Sequence, residues 1–349
     1  MDLKSSVISM FDFNLFGIPM IGSDICGFGQ NSNEELCARW IQVGAFYPFS
    51  RNHNHLGGTD QELYRWESVT ETSIIVLNMR YRLLPYMYTL FYGAHSNGET
   101  VINSLWFNYP QDKETYSLSS YQFMWGHGVL FTPVVEKGST VVTGYFPAGL
   151  WYNFQTMLLE YDTLHVDSSD RFKTLDTPLL ATNVHLAGGH ILPTQDAAMT
   201  TTESRLTNIS LLVPLSHDGA ASGTLFWDDG EQMELRNYLS AEYGCKITGA
   251  STANNYVFEG SVDASVLHDS LTTDDMDSIL YMKLIVIMGK DILKSAPIPS
   301  KLYLNKELVL LKNDISEYIS YNYDDNKITI KMQDELEVAI TTNFSLTWY

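Results

Sequence analysis

"SDICGFGQNSNEELCARWIQVGAFYPFSRNHN", residues 23–54, gathers Asp24, Cys26, Cys37, Arg39, Arg51 and His53 around one helix-like segment. Upstream of it, Ile18-Pro19-Met20-Ile21-Gly22 is a short apolar run ending at Asp24, the pattern of a buried parallel strand. Ser32-Asn33-Glu34-Glu35 fits a capping box, in which the serine and Glu35 side chains each meet a free amide of the first turn. Leu36, Trp40 and Ile41 follow at helical spacing, and Gly44–Phe49 forms a second strand-like run that ends in Ser50-Arg51-Asn52-His53. The order is strand, helix, strand.

Outward from there a longer helix is expected, opened by a second capping box at Ser68–Glu71. Ile74, Ile75, Leu77, Leu84, Met87, Leu90 and Phe91 recur on one side of it, Pro85 kinks it, and Asn97-Gly98 closes it. After about residue 105 the texture changes to short apolar or alternating runs separated by Gly, Pro and Asp. These are Val129–Val135, Val141–Phe146, Asn183–Ala187, Leu211–Pro214, Thr224–Trp227, Ile279–Met288 and Lys301–Leu311, an all-β pattern that reads as two small sandwiches. Two strands and two helices cannot close a parallel sheet, so the α/β part reads as truncated at its N-terminus. The acidic stretch Thr272–Asp277 reads as a solvated loop.

Composition narrows the function. A chain of 349 residues, 45% hydrophobic and 18% charged, is long enough for two or three domains with cores of their own. A formal net charge of −20 excludes nucleic acid or an anionic membrane as the main partner, because phosphate binding needs a basic surface. The 21 tyrosines supply half-polar surfaces that suit sugar binding and β-rich cores alike. The sequence has no 18-residue apolar run to span a membrane, and residues 1–10 hold no secretion signal. Asn208-Ile209-Ser210 and Asn343-Phe344-Ser345 are glycosylation sequons. Cys26 and Cys37 are close enough along the chain to close a disulfide, which leaves Cys245 as a buried thiol.

Few residues offer chemistry. Asp24 and His53 each follow the C-terminal end of an expected strand, the active-site face of a (β/α)8 barrel, where a carboxylate accepts hydrogen bonds from sugar hydroxyls and an imidazole donates one. The plain alternative is that Asp24 caps a turn and His53 is a satisfied loop residue. His53 and His55 form a His-x-His pair without a third ligand at suitable spacing, so no metal site is expected. Asp228-Asp229-Gly230 reads as a hairpin turn. A phosphate-binding glycine loop is absent, as is any serine or cysteine paired with a base, and no cofactor is implied.

The run Gly22-Ser23-Asp24-Ile25-Cys26-Gly27-Phe28, with Glu35-Leu36-Cys37-x-Arg39-Trp40-x-Gln42-x-Gly44-Ala45-Phe46-Tyr47-Pro48-Phe49-x-Arg51-Asn52-His53-Asn54, resembles glycoside hydrolase family 31. Within that family it is most similar to the lysosomal acid α-glucosidase and intestinal maltase-glucoamylase/sucrase-isomaltase branch. The likeness continues in order through Arg82–Tyr86, Gly98–Val101, Gly144–Pro147, Asn183–Leu186, Thr200–Arg205 and Leu225–Glu231. It implies a retaining α-glucosidase acting on α-glucoside oligosaccharides. The implied architecture is α/β plus all-β, with strands seven and eight of the barrel in residues 1–104, a proximal β-sandwich in 105–200 and a distal one in 201–349.

On the same resemblance Asp24 and His53 line or support the glycone subsite, Phe28 walls it, and a Cys26–Cys37 disulfide pins the loop after strand seven. The implied setting of the parent enzyme is lysosomal or a secreted, cell-surface lumen. Retaining hydrolysis needs a nucleophilic carboxylate and a second carboxyl about 5 Å away. The family's motifs for both are missing from this sequence, and Asp2–Val7 matches a helix that begins just after the acid/base position. Both acids are therefore expected upstream of residue 1, and this chain is expected to be an inactive C-terminal portion that partners the missing N-terminal part. Asp60, Glu62 and Glu67 are the nearby acids that could substitute, with nothing to pair them across a sugar. The alternative is a non-catalytic carbohydrate-binding or scaffold protein derived from the same family.

Overall fold

The first helix after the quoted loop begins with Asn33, not Ser32, as its cap. Asn33 Oδ1 accepts a hydrogen bond from the Leu36 amide at 3.0 Å, and α2 runs Glu34–Gly44, after α1 at Asp2–Leu15. Asparagine is as good a cap as serine, and here it stands one residue closer to the first turn. Glu35, expected to reach back to its own helix start, instead accepts from the Gly138 amide.

The computed structural model describes residues 2–117, 121–252, 255–270, 281–289, 301–305, 307–311, 318–322, 325, 327–333, 338 and 344–348. The acidic stretch 272–277 and the sequon at Asn343 lie outside them. Two compact units divide the chain: one holds residues 1–81, 90–148 and 163–185, the other residues 82–89, 149–162 and 186–349.

In the first unit neither expected strand of the quoted region forms. Ile18 and Met20 are 49% and 57% exposed; the Ile18 amide donates back to Phe13 O, and further along the Phe49 amide donates to Ile21 O and the Ile25 amide to Arg51 O. One isolated parallel bridge, Ile25 to Asn52, marks where the two segments run side by side. Pro19 has no amide to offer a ladder, so the apolar run stays an extended coil. Gly44–Pro48 is buried, but as the end of α2 and a turn: the amides of Ala45, Phe46 and Tyr47 donate back to Ile41, Val43 and Gly44, and Phe49 is exposed.

The carbonyls of that turn are satisfied by Arg80, whose guanidinium donates to Ala45 O at 2.7 Å, Tyr47 O at 2.6 Å and Pro48 O at 3.0 Å. Burial lowers the Arg80 pKa to about 10, which leaves it charged at neutral pH.

Helix α3 spans Glu67–Asn97 without a break at Pro85 and closes at Gly98, whose φ of 72° takes the left-handed conformation expected there. Its second capping box is not made: the cap position is Trp66, and Ser68 Oγ donates to Glu34 Oε1 instead. The buried face is also rotated from the expected one. Ile74 is 58% exposed, while Val69, Thr72, Ser73, Val76, Met79, Leu83, Tyr86 and Met87 are buried. Ser73 hides its hydroxyl on Val69 O and Thr72 donates to Leu179 O, so the inner face is partly polar and escapes a count of apolar residues.

The β-pattern after residue 105 is realised. In the first unit Ile102–Asn103, Phe123–Trp125 and Val129–Thr132 form an antiparallel meander, and Val141–Tyr145 pairs with Phe172–Asp176. Phe46, Phe123, Trp125 and Phe131 pack as an aromatic core, with Trp125 Nε1 donating to Phe46 O at 2.8 Å. Asn14, near the end of α1, accepts from the Val101 and Ile102 amides and so anchors that helix beside the meander.

The second unit holds two further sheets, of five and six strands. One has the order Ile319–Asn322, Lys327–Lys331, Met282–Met288, Ile209–Pro214, Leu192–Thr194; its Ile209–Pro214 and Met282–Met288 strands are parallel. The other has the order Ala220–Trp227, Leu239–Thr252, Asn255–Asp269, Phe344–Trp348, Lys301–Leu304, Glu307–Leu311. Alternate residues of both sheets, such as Ile209, Leu211, Val213, Ile285 and Ile287 with Leu239, Ala241, Tyr243, Cys245 and Ile247, share one buried cluster. Trp227 does pair with Leu239, but through a loop of residues 228–238 and not a tight Asp-Gly turn. The reason is Asp228, 1% exposed, which accepts from the Tyr88 hydroxyl and the Gly230 amide. Arg205 donates to the Asp228 carbonyl and lies over the Trp227 ring, 4.1 Å from its centroid. A buried carboxylate with such partners cannot sit at an exposed turn.

Cys245 is buried and unpaired, and burial pushes its thiol well above the usual range. The native chain should therefore resist iodoacetamide at pH 8 and take up one carbamidomethyl group only after denaturation, as read by intact-mass spectrometry. Rapid labelling of the folded chain would show that the strand carrying Cys245 opens readily.

Candidate functional site

A cleft of about 1010 Å³ opens in the first unit. Its walls come from the start of α1, the loop from Gly22 to Asn33, the outer face of α2 with Trp40, then Arg51 and Val135–Lys137. The loop is shaped by a tight turn. The Gly27 amide donates to Asp24 O, and Cys26 and Gly27 take φ of 72° and 92°. Left-handed backbone is easy for glycine and costly for cysteine, so the Cys26 conformation has to be held by its surroundings. It is, by a disulfide to Cys37 on α2, with both residues buried.

Asp24 is half-buried in the cleft wall, and Arg51 Nη2 donates to its Oδ1 at 2.8 Å. The Arg51 guanidinium also lies over the Phe49 ring, 5.5 Å from its centroid, which limits the directions from which it can approach the carboxylate. Phe28 lines the same cleft and is 51% exposed, an apolar ring facing solvent. His53 does not line the cleft; its ring is 5.6 Å from that of Phe28, and His55 is 6.2 Å from the same ring. The structure thus places Asp24 and Phe28 on the same cleft, with His53 outside it beside Phe28.

The other candidate residues fall elsewhere. Asp60, Glu62 and Glu67 are exposed and outside the cleft, and the nearest cation to Asp60 is Arg65 at 3.9 Å. No group of three metal-binding side chains occurs among the described residues. Asn208 is exposed, with its Oδ1 accepting from the Tyr281 amide. No helix among the described residues is long and apolar enough to cross a membrane.

Sequence reasoning missed the residues that support this wall. Arg39, buried in α2, donates to the carbonyls of Ser139 and Thr177 at 2.9 Å each, and Gln42 donates to Leu179 O at 2.6 Å. These bonds fasten α2, and with it the disulfide, to the β-part of the same unit. A charged and an amide residue three apart within the apolar stretch Leu36–Gly44 was the available signal. Gln61 left none, because it lies in a loop without periodicity.

Comparison with known proteins places these features. The description "Glycosyl hydrolases family 31 TIM-barrel domain" matches residues 1–90, and "Glycosyl hydrolase family 31 C-terminal domain" matches residues 98–192. A probable alpha-glucosidase of Oryza sativa subsp. japonica is 48% identical over 269 residues, 77% of this chain and 30% of the relative. A lysosomal alpha-glucosidase of Rattus norvegicus is 47% identical over 246 residues, 66% of this chain and 26% of its own length. The chain therefore spans about a third or less of the curated relatives named here. Among solved structures, a Flavobacterium johnsoniae GH31 dextranase complexed with glucose superposes with a TM-score of 0.80 at 22% identity, over 99% of this chain and 41% of that one, a likeness of fold.

Proposed function

Since the chain belongs to glycosyl hydrolase family 31, we propose that it supplies one wall of the sugar site of a retaining α-glucosidase, without the two working carboxyl groups. In this reading residues 1–104 are the C-terminal end of the catalytic barrel, and residues 105–200 and 201–349 are proximal and distal β-sandwiches. The parent enzyme acts on α-glucoside oligosaccharides in a lysosomal or secreted lumen, a reading supported by the lysosomal relative.

The observation that carries this is Asp24, pinned by Arg51 beside the open Phe28 ring in one cleft wall. A fixed carboxylate accepts hydrogen bonds from two hydroxyls of a pyranose, while the aromatic face packs against its apolar C–H face. Arg51 keeps the carboxylate aimed, and His53, whose ring lies 5.6 Å from that of Phe28, supports the apolar part of the wall. The nucleophile and the acid/base come from residues outside this chain.

The purified chain is expected to bind maltose saturably and to show no turnover of a chromogenic α-glucoside. Asp24→Asn should weaken the binding by about tenfold, because the amide offers one acceptor and loses the Arg51 ion pair. Turnover by the isolated chain overturns the claim that the working acids lie elsewhere. Absence of maltose binding overturns the reading of the wall.

A further inference from the structure

Gln61 is 4% exposed, although Asp60 and Glu62 on either side of it are exposed. Its side chain enters the gap between the loop that carries Asp24 and Phe28 and the loop that carries His53. Nε2 lies 3.2 Å from Ile25 O, 3.1 Å from Gly27 O, 3.1 Å from His53 O and 3.4 Å from Asn52 Oδ1. An amide nitrogen has two hydrogens, so these acceptors share them, and three converging carbonyls fix which end of the amide points inward. The Gln61 backbone carbonyl is used as well: Asn52 Nδ2 donates to it at 2.9 Å. The Cys26 and Cys37 sulfurs sit 3.8 and 3.9 Å from that oxygen, as contacts only, since a disulfide sulfur carries no hydrogen.

Apart from Gln61 and the long Asn52 contact with the Cys26 sulfur, the two loops are joined at their ends. The Ile25 amide donates to Arg51 O at one end and the His55 amide to Phe28 O at the other. Between those bonds lie Cys26 and Gly27 in left-handed conformations, and across from them His53. The disulfide ties the first loop to α2, and Asn52 Nδ2, next to His53, donates weakly to its Cys26 sulfur at 3.6 Å. The span between the two end bonds is bridged by the Gln61 amide, which holds carbonyls from both sides on one nitrogen.

We propose that Gln61 is a positioning residue that sets the Phe28 and His53 rings against each other and so fixes the shape of the sugar-facing wall. It rests on the reading that Asp24, Phe28 and His53 face a sugar, but its geometric part is independent of any ligand. A carboxylate or thioether in place of the amide has no hydrogen to give to Ile25, Gly27 or His53. The carbonyls then lose their common donor, and the two loops loosen between the end bonds, held there by the Asn52 side chain alone, while the end bonds and the disulfide persist.

The test uses the full chain and the variants Gln61→Met and Gln61→Glu. The reporter is the NMR position of the His53 ring proton Hε1, displaced by the ring current of Phe28 in the native chain and absent in a Phe28→Leu reference. In both variants this displacement is expected to collapse while the rest of the spectrum stays dispersed, and maltose affinity is expected to fall by about tenfold. A displacement unchanged from the parent chain in either variant overturns the proposal. So does loss of the dispersed spectrum in both, because Gln61 is then a determinant of the fold. If the parent chain binds no maltose, the sugar reading fails alone, and the His53 displacement still decides whether Gln61 sets the two rings.

Discussion

Replacing Gly22 by alanine is expected to lower the stability of the first unit by about 3 kcal/mol and to open the cleft wall. A Cβ on residue 22 would stand 1.8 Å from the carbonyl oxygen of Phe49 and 3.2 Å from Tyr47 Cβ. The obstacle is backbone, so rotation of a side chain cannot relieve it. The segments 21–25 and 49–52 must move apart, and the first bond to break is that from the Phe49 amide to Ile21 O, 3.0 Å long in the parent chain. Asp24 and Arg51 ride on those two segments, so their 2.8 Å ion pair is lost with it. Urea denaturation followed by tryptophan fluorescence reads the stability. A midpoint equal to that of the parent chain would falsify the close approach of these segments.

Arg80→Met should cost on the order of 4 kcal/mol, the largest effect expected from a single polar side chain here. Methionine keeps much of the stem's volume, so little of the loss comes from packing. What disappears is the donor set for Ala45, Tyr47 and Pro48, whose carbonyls are left without a partner in the turn after α2. Hydrogen bonds from a charged donor contribute about 1.5–3 kcal/mol each, and three to one group do not add fully. Arg80→Lys should recover only part of the loss, because one ammonium cannot fork to three carbonyls as a guanidinium does. Calorimetry on the three chains measures this, and equal stability of the Met and parent chains would remove Arg80 from the account.

Arg80 also explains what could and could not be read from the residues. Gly44–Phe49 has the composition of a buried strand and is buried as far as Pro48, but its carbonyls find a guanidinium from α3 and not a neighbouring strand. Period and composition report burial, whereas the partner of each backbone group is a tertiary fact. The same holds for Ser32 and Ser68: both sat before a suitable glutamate, but Asn33 and Trp66 are the caps. The β-runs were legible because alternation and turn residues are local signals, and Asn183–Ala187 forms with the bounds expected of it. Of the cleft, Asp24 and Phe28 were legible from a dense motif. The groups that orient them were less so, since Gln61 acts through contacts with carbonyls 8 to 36 residues away.

The parallel pairing of Ile209–Pro214 with Met282–Met288 sets a timetable for the second unit. Strands 220–227, 239–252 and 255–269 all lie between those partners in sequence, so the pair cannot close through a tight turn. While the chain is being synthesised, Leu211 and Val213 have no inner strand to pair with until Met288 has left the ribosome. During that interval an apolar strand waits with one edge open, the condition under which nascent chains aggregate or engage chaperones. Refolding from urea should accordingly show a slow phase in the second unit, set by the entropy of this long closure.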